Sequence, residues 1–301
     1  MIPGRLSDTV GVIPPTEMRV LEAAGPKSPR TVSQQLLRSP TFLIGAAIVV
    51  FWIVCAVFGN SFAPHNPLAQ QLLATNATLS GAHLFGTDQL GRDVLSRVIV
   101  GAHNILVIAP MATLLGTALG TALGLVMWYF GGTVDAVVGR LVETVLALPV
   151  IIVAVLFVRA LGPSIPTLVV VIGFVFAPLI ARTVRAAVLV ERDLDYVAAA
   201  HLRGDKAPHI MFVEILPNVL PPILVEFTVR IGYAIFTVAT LSFLGLGPPP
   251  PTPDWGADIA ANYSVISAGY WWETLFPALA IASLVVAVNL IADGVESVLA
   301  Q

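Results

Sequence analysis

Residues 104–130 read NILVIAPMATLLGTALGTALGLVMWYF, a run without one charged side chain. Wound as a helix, it exceeds the roughly 20 mainly apolar residues needed to cross a bilayer. A surface so apolar must meet lipid or other helices, and that settles the kind of fold. Within the run, Gly116, Gly120 and Gly124 recur every fourth residue. Such a stripe lets two helix backbones approach closely. It leaves two partners open, a helix of the same chain or one of a second chain. Pro110 lies inside the same run and is expected to kink it.

Five further stretches have similar character, at about Phe42–Phe58, Val134–Val158, Ile165–Ile180, Val219–Leu244 and Thr274–Leu299. The expectation is an all-α integral membrane protein of about six transmembrane helices. Pro149 and Pro178 are further candidate kinks. Composition agrees. Of 301 residues, 57% are hydrophobic and 11% charged, whereas soluble domains carry about 25% charged residues. The mean hydropathy is +0.89. The net charge of −3 points away from a nucleic-acid partner. The single cysteine, Cys55, sits in an apolar run and can build neither a disulfide framework nor a thiolate metal site.

The polar segments then take places. Residues 1–38 are polar and hold Arg5, Arg19, Lys27, Arg30 and Arg38, so they are expected to be a cytoplasmic tail rather than a cleavable signal. Residues 39–301 form the membrane domain. Its polar segments fall at about 60–103, 183–218 and 245–272. With the tail inside, the inner segments also hold Arg140, Arg182, Arg185, Arg192, Arg203 and Lys206. The outer ones hold Arg92, Arg97 and Arg159. Basic residues gather on the cytoplasmic side, so both termini are expected in the cytoplasm and segments 60–103 and 245–272 outside it.

Segment 183–218 is the most charged. It contains DYVAAAHLRG at 195–204 and EILPN at 214–218. Ala198–Leu202 favours helix, Gly204 can end it in the left-handed conformation, and Pro217 marks a break before the next span. The expectation is a helix–turn–helix across one membrane face, presenting small residues to whatever docks there. On the opposite side, Gly86, Asp88 and Gly91 favour turns. Asp93 can cap a short surface helix from Leu95 to Val100 that leads into the span. Pro248–Pro251 reads as a stiff extended run. Trp255, Tyr263, Tyr270, Trp271 and Trp272 suit an interfacial belt.

These segments resemble a known family. Ala198, Ala199, Ala200, Gly204, Leu216 and Pro217 fall on the "EAA" coupling-loop pattern of binding-protein-dependent ABC importer permeases. Ala198 stands where that pattern often has Glu, and Glu214 where it often has Ile. HLFGTDQLGRDVLSR at 83–97, LSFLGLG at 241–247 with Asp254-Trp255-Gly256, and Asn289, Leu290, Asp293 and Gly294 are similar to the dipeptide/oligopeptide/nickel group, "C"-type subunit. The resemblance runs from about Phe42 to the end. It implies a type I ABC importer permease fold, a cytoplasmic coupling helix, and translocation of di- or oligopeptides across the cytoplasmic membrane. It also implies partners: a homologous permease subunit, two ATPase subunits or domains that bind ATP and Mg, and an extracytoplasmic substrate-binding protein.

No catalytic centre is expected. The two lysines, Lys27 and Lys206, are not in the Gly-Lys-Ser/Thr setting of a P-loop, so no cofactor is assigned to this chain. His65, His83, His103, His201 and His209 are scattered over the polar segments, and no metal site is expected among them. Glu226 and Arg230, four apart in a span, are costly in lipid unless paired or facing water. They are candidates for the translocation pathway or for a structural pair. A self-sufficient transporter or channel would account for the spans and this pair, but not for the charged helical segment.

Overall fold

The computed structural model describes residues 36–191 and 194–299. Most of the tail, with Arg5, Arg19, Lys27 and Arg30, lies outside the described residues, as does Arg192. Helix α1 spans Pro40–Phe62. Ser39 caps it by accepting from the Phe42 N–H at 3.4 Å, and Pro40 sits at the first position, where no backbone donor is needed. Its large apolar side chains, among them Ile44, Phe51, Val57 and Phe58, stay exposed. That is the surface of a helix at the rim of the bundle. Gly45 is where it touches α9, since a Cβ there would lie 2.5 Å from the Ala287 carbonyl oxygen.

Helix α2 runs unbroken through Val94–Phe130. Asp93 caps it as expected, with Oδ2 accepting from the Ser96 N–H at 2.8 Å. The separate surface helix at Leu95–Val100 is not found. Nothing between Val100 and Asn104 breaks the hydrogen-bond ladder, so cap, surface turn and span form one rod about 55 Å long at 1.5 Å per residue. It overreaches the roughly 30 Å hydrocarbon core and links two distant ends of the molecule.

The third expected span departs from a single helix. It is broken into α3 (Gly132–Leu146) and α4 (Val150–Leu161), bent by 88°. Pro149 offers no N–H to the preceding turn and drives Leu148 out of helical conformation. The chain therefore turns and restarts, with the Pro149 carbonyl accepting from Val153 at 3.2 Å. Among the described residues, five helices are long and apolar enough to cross a membrane, six if the bent pair counts as one crossing. The chain is a multi-pass membrane protein.

Helix α5 (Ile165–Glu191) is the most enclosed of the spans, burying among others Leu168, Ile172, Phe176 and Ile180. It receives the glycine stripe of α2. A Cβ at Gly116 would lie 3.0 Å from the Gly173 oxygen. At Gly120 it would lie 2.7 Å from the Ala177 oxygen, and at Gly124 3.0 Å from the Ala181 oxygen. Both numberings rise together, so the two helices run parallel, and the stripe is consumed inside this chain.

Helix α6 (Asp195–Leu202) leads through a turn to α7 (Ala207–Phe243). Pro217 does not break α7. Ile210–Ile215 is π-helical, with the Leu216 N–H reaching back to the Met211 oxygen. That wider turn accommodates a proline whose ring would collide with an ordinary α-turn. After α7, the prolines at 248–251 fold into a turn closed by Thr252 N–H donating to Pro249 O at 3.4 Å. They do not extend, because Asn104 and Arg97 on α2 draw the loop down by donating to the Pro253 and Pro251 carbonyls at 3.0 and 3.5 Å. Short α8 (Trp255–Asn262), capped by Asp254, and α9 (Trp272–Leu299) complete the chain.

Candidate functional site

The α6 turn lies at the Phe130 end of α2. Val197 and Ala200, three apart, are buried at 2% and 0%, so one face of α6 is seated on the bundle. His201 stacks near Tyr129 with centroids 6.3 Å apart. Tyr196 donates to Glu191 Oε2 at 2.8 Å, tying α6 to the last residue of α5. Burial, and then the nearby Glu191 carboxylate, pushes the Tyr196 phenol up to about 12.

Gly204 ends α6 at φ +77°, the left-handed conformation read from the sequence. The Gly204 N–H donates to His201 O at 3.0 Å and the Asp205 N–H to Ala200 O at 3.2 Å, the paired bonds of a Schellman cap. Arg203 braces the turn from outside. It pairs with Asp205 at 2.8 Å and with Glu214 on the facing turn of α7. The unusual carboxylate at 214 thus has a cation across from it. Ala198, Ala199, Gly204 and Pro217 are exposed and Leu216 is half-buried. Of the six loop residues singled out in the sequence, Ala200 alone points inward, where any larger side chain would lift α6 off the bundle. Leu202, which the sequence reading passed over, is 90% exposed. A large apolar side chain flanked by Arg203, Asp205 and Lys206 cannot be facing hydrocarbon, and it projects from the tip of the turn. A groove of about 640 Å³ runs beside it, lined among others by Trp128, Phe130, Leu194, Ala198 and His201.

Glu226 and Arg230 do pair. Nε donates to Oε1 at 2.6 Å, with side chains 13% and 17% exposed respectively. The guanidinium also lies 5.3 Å from the Tyr233 ring centroid. Arg230 sits about 20 Å from the Phe243 end of α7 at 1.5 Å per residue, well inside the rod.

Residues 116–301 match the family described as binding-protein-dependent transport system inner membrane component. The chain belongs to this family. Residues 30–79 match the N-terminal TM domain of oligopeptide transport permease C. The permease is 40% identical to the dipeptide transport system permease protein DppC of Escherichia coli strain K12, over 94% of this chain and 97% of that protein. It is 37% identical to the DppC protein of Haemophilus influenzae, covering 85% and 89%. It is 38% identical to the di/tripeptide transport system permease protein DppC of Pseudomonas aeruginosa, covering 85% and 86%.

The opposite end of the permease is polar but closed. Trp255 and Trp272, expected at an interface, are buried at 1% and 4%. Their indole N–H groups donate to Val98 O at 2.8 Å and Thr87 O at 3.1 Å, so they staple α8 and α9 to α2 and its preceding loop. Tyr263 and Trp271 remain exposed. Asp88 pairs with Arg92 at 2.6 Å and Arg97 with Asp258, all four nearly buried. Burial pushes the Asp254 carboxyl up even though it caps α8 through the Ala257 N–H. Glu273, in the first turn of α9, is 1% exposed, and neither oxygen has a hydrogen-bond partner among the described residues. The histidines are not scattered as expected. His103, His201 and His209 are helical, while His65 and His83 come together against Asp93.

Proposed function

We propose that the permease is one of two homologous transmembrane subunits of an ABC importer for di- or oligopeptides, working in the cytoplasmic membrane with both termini in the cytoplasm. A binding protein delivers substrate at the Trp255 end. Two ATPase subunits, which bind ATP and Mg, grip the α6 turn. The peptide substrate is supported by the names of the three relatives above, each matched over most of its length. The coupling role is supported by one observation: α6 is seated by Val197 and Ala200 while Ala198, Ala199, Leu202 and Gly204 face away from the bundle. A rigid turn with small residues and one apolar tip suits docking into a cleft, and its tether to α5 and α7 passes movement into the spans. Glu226 and Arg230 are assigned to the translocation pathway, because a paired charge deep in a span is tolerated where it faces water or polar cargo.

The deciding experiment reconstitutes the permease with its partner subunits and measures ATP-driven peptide uptake. Gly204→Val forces a β-branched residue to a φ of +77°, which such residues resist. Uptake should be lost while the spans stay inserted. A Gly204→Val complex that transports like the parent would remove the turn from the coupling path.

A further inference from the structure

The loop after α1 folds back so that His65 and His83 face each other. Their ring centroids are 4.7 Å apart at an interplanar angle of 36°. Both direct Nδ1 at one carboxylate oxygen. Asp93 Oδ1 lies 2.8 Å from His83 Nδ1 and 3.6 Å from His65 Nδ1. One donor atom from each of the three residues lies within 4.8 Å of the other two. Asp93 and His83 are 3% and 8% exposed. His65 keeps a ring edge in solvent, yet its Nδ1 is buried without a hydrogen-bond partner among the described residues.

A capping role explains part of this arrangement. Asp93 Oδ2 caps α2, and Oδ1 accepts the proton from His83. It does not explain His65, whose buried nitrogen faces an oxygen already engaged. Leaving such a group unpaired costs about 1–3 kcal/mol. A cation between the three atoms would satisfy them all. We propose that His65, His83 and Asp93 form a binding site for a divalent transition-metal ion of the zinc class.

The donor chemistry selects that class. Two imidazole nitrogens and a carboxylate suit zinc and its first-row neighbours, whereas calcium and magnesium prefer oxygen alone. Ligands held about 2.0–2.2 Å from zinc at tetrahedral angles sit roughly 3.3–3.5 Å apart. The 2.8 Å separation must open by about 0.5–0.7 Å and the 3.6 Å one close by about 0.1–0.3 Å. The ion replaces the proton shared by His83 and Asp93, which passes to solvent. The surroundings hold the ligands in place. Asp93 Oδ2 accepts from Ser96 N–H at 2.8 Å and Ser96 Oγ at 2.6 Å. The His65 N–H donates to Ser96 Oγ at 3.1 Å, and the His83 N–H to Ser80 Oγ at 3.1 Å. Outer contacts of this kind orient metal ligands. On its open side His65 borders a surface depression of about 450 Å³ with Asn60, Pro64 and Asn66, which leaves room for a water as fourth ligand.

The other histidine–carboxylate group, Asp205, His209 and Glu214, is a weaker candidate, because Arg203 already neutralises both carboxylates. The test uses the untagged full-length chain in detergent, stripped with chelator and then titrated with Co²⁺ and Zn²⁺. One equivalent of Co²⁺ should give the strong visible absorption of a four-coordinate nitrogen–oxygen site, and Zn²⁺ should displace it and raise the melting temperature. His65→Ala removes a side chain that makes no hydrogen bond. The metal-free variant should melt with the parent yet bind at least about tenfold more weakly, since losing even an outer-shell partner costs about 10–100-fold. His65→Gln serves the same purpose should the alanine variant fail to fold. Asp93→Asn keeps an oxygen to cap α2 and should also lose binding. No stoichiometric Co²⁺ or Zn²⁺ binding by the parent, or equal binding by a folded His65 variant, overturns the proposal.

Discussion

Replacing Gly120 with alanine adds a methyl group that must sit 2.7 Å from the Ala177 carbonyl oxygen and 2.7 Å from Ile180 Cβ. Ordinary contacts of this kind begin near 3.4 Å, so α2 and α5 must part by more than half an ångström. Neither neighbour is the free end of a flexible side chain. Overpacking of this kind costs about 1–3 kcal/mol. The change to alanine returns about 1 kcal/mol through helix propensity. The net expectation is a loss of up to roughly 2 kcal/mol, the clash outweighing the propensity. Gly139 in α3 is the internal control. Its added Cβ would meet Met127 Cε at 3.5 Å, an ordinary contact, so the propensity gain stands alone and Gly139→Ala should be neutral or stabilising. Gly116→Ala, with its nearest atom at 3.0 Å, should fall between. The assay is thermal or denaturant unfolding of the purified permease in one detergent, with all three variants side by side. If Gly120→Ala unfolds with Gly139→Ala, the α2–α5 seam is not where the glycine stripe is used.

Three further outcomes are expected. Glu273→Gln removes a buried carboxylate without partners. An amide is cheaper to bury than a charge, so the variant should melt higher at neutral pH, and a lower melting temperature would show that Glu273 has a counter-ion. For Tyr196 the folded phenol titrates at about 12 against an ordinary 10.0. Folding therefore favours the protonated form, a contribution complete below pH 10 and lost as pH rises towards 12. Tyr196→Phe should remove a component titrating near 12 from the ultraviolet phenolate titration, and loss of one titrating near 10 instead would refute the buried setting of Tyr196. Glu226→Ala should lower peptide uptake in the reconstituted complex while the subunit still assembles. Disappearance of the subunit from the membrane would make the pair a brace rather than part of a pathway.

What could be read before folding was what each residue does to its own neighbourhood. Apolar runs long enough to cross lipid, the left-handed turn at Gly204 and the cap at Asp93 depend on hydropathy or on three or four adjacent residues, so they were legible in the chain itself. The bend at Pro149 was half legible: the proline is visible, but whether a proline kinks a helix or ends it depends on what receives the restarted chain. Everything that required one distant segment to meet another was decided by tertiary packing. Trp255 looks interfacial until Val98, 157 residues away, accepts its indole proton. Ala200 looks like a docking residue until α6 is laid on the bundle. The glycine stripe fits any close neighbour, and only the parallel placement of α5 assigns it. His65 and His83 look unrelated until the loop returns to the start of α2. Hydropathy and backbone preference act locally, whereas these contacts are set by which helix faces can interlock, and a side chain carries no mark of the partner it will meet.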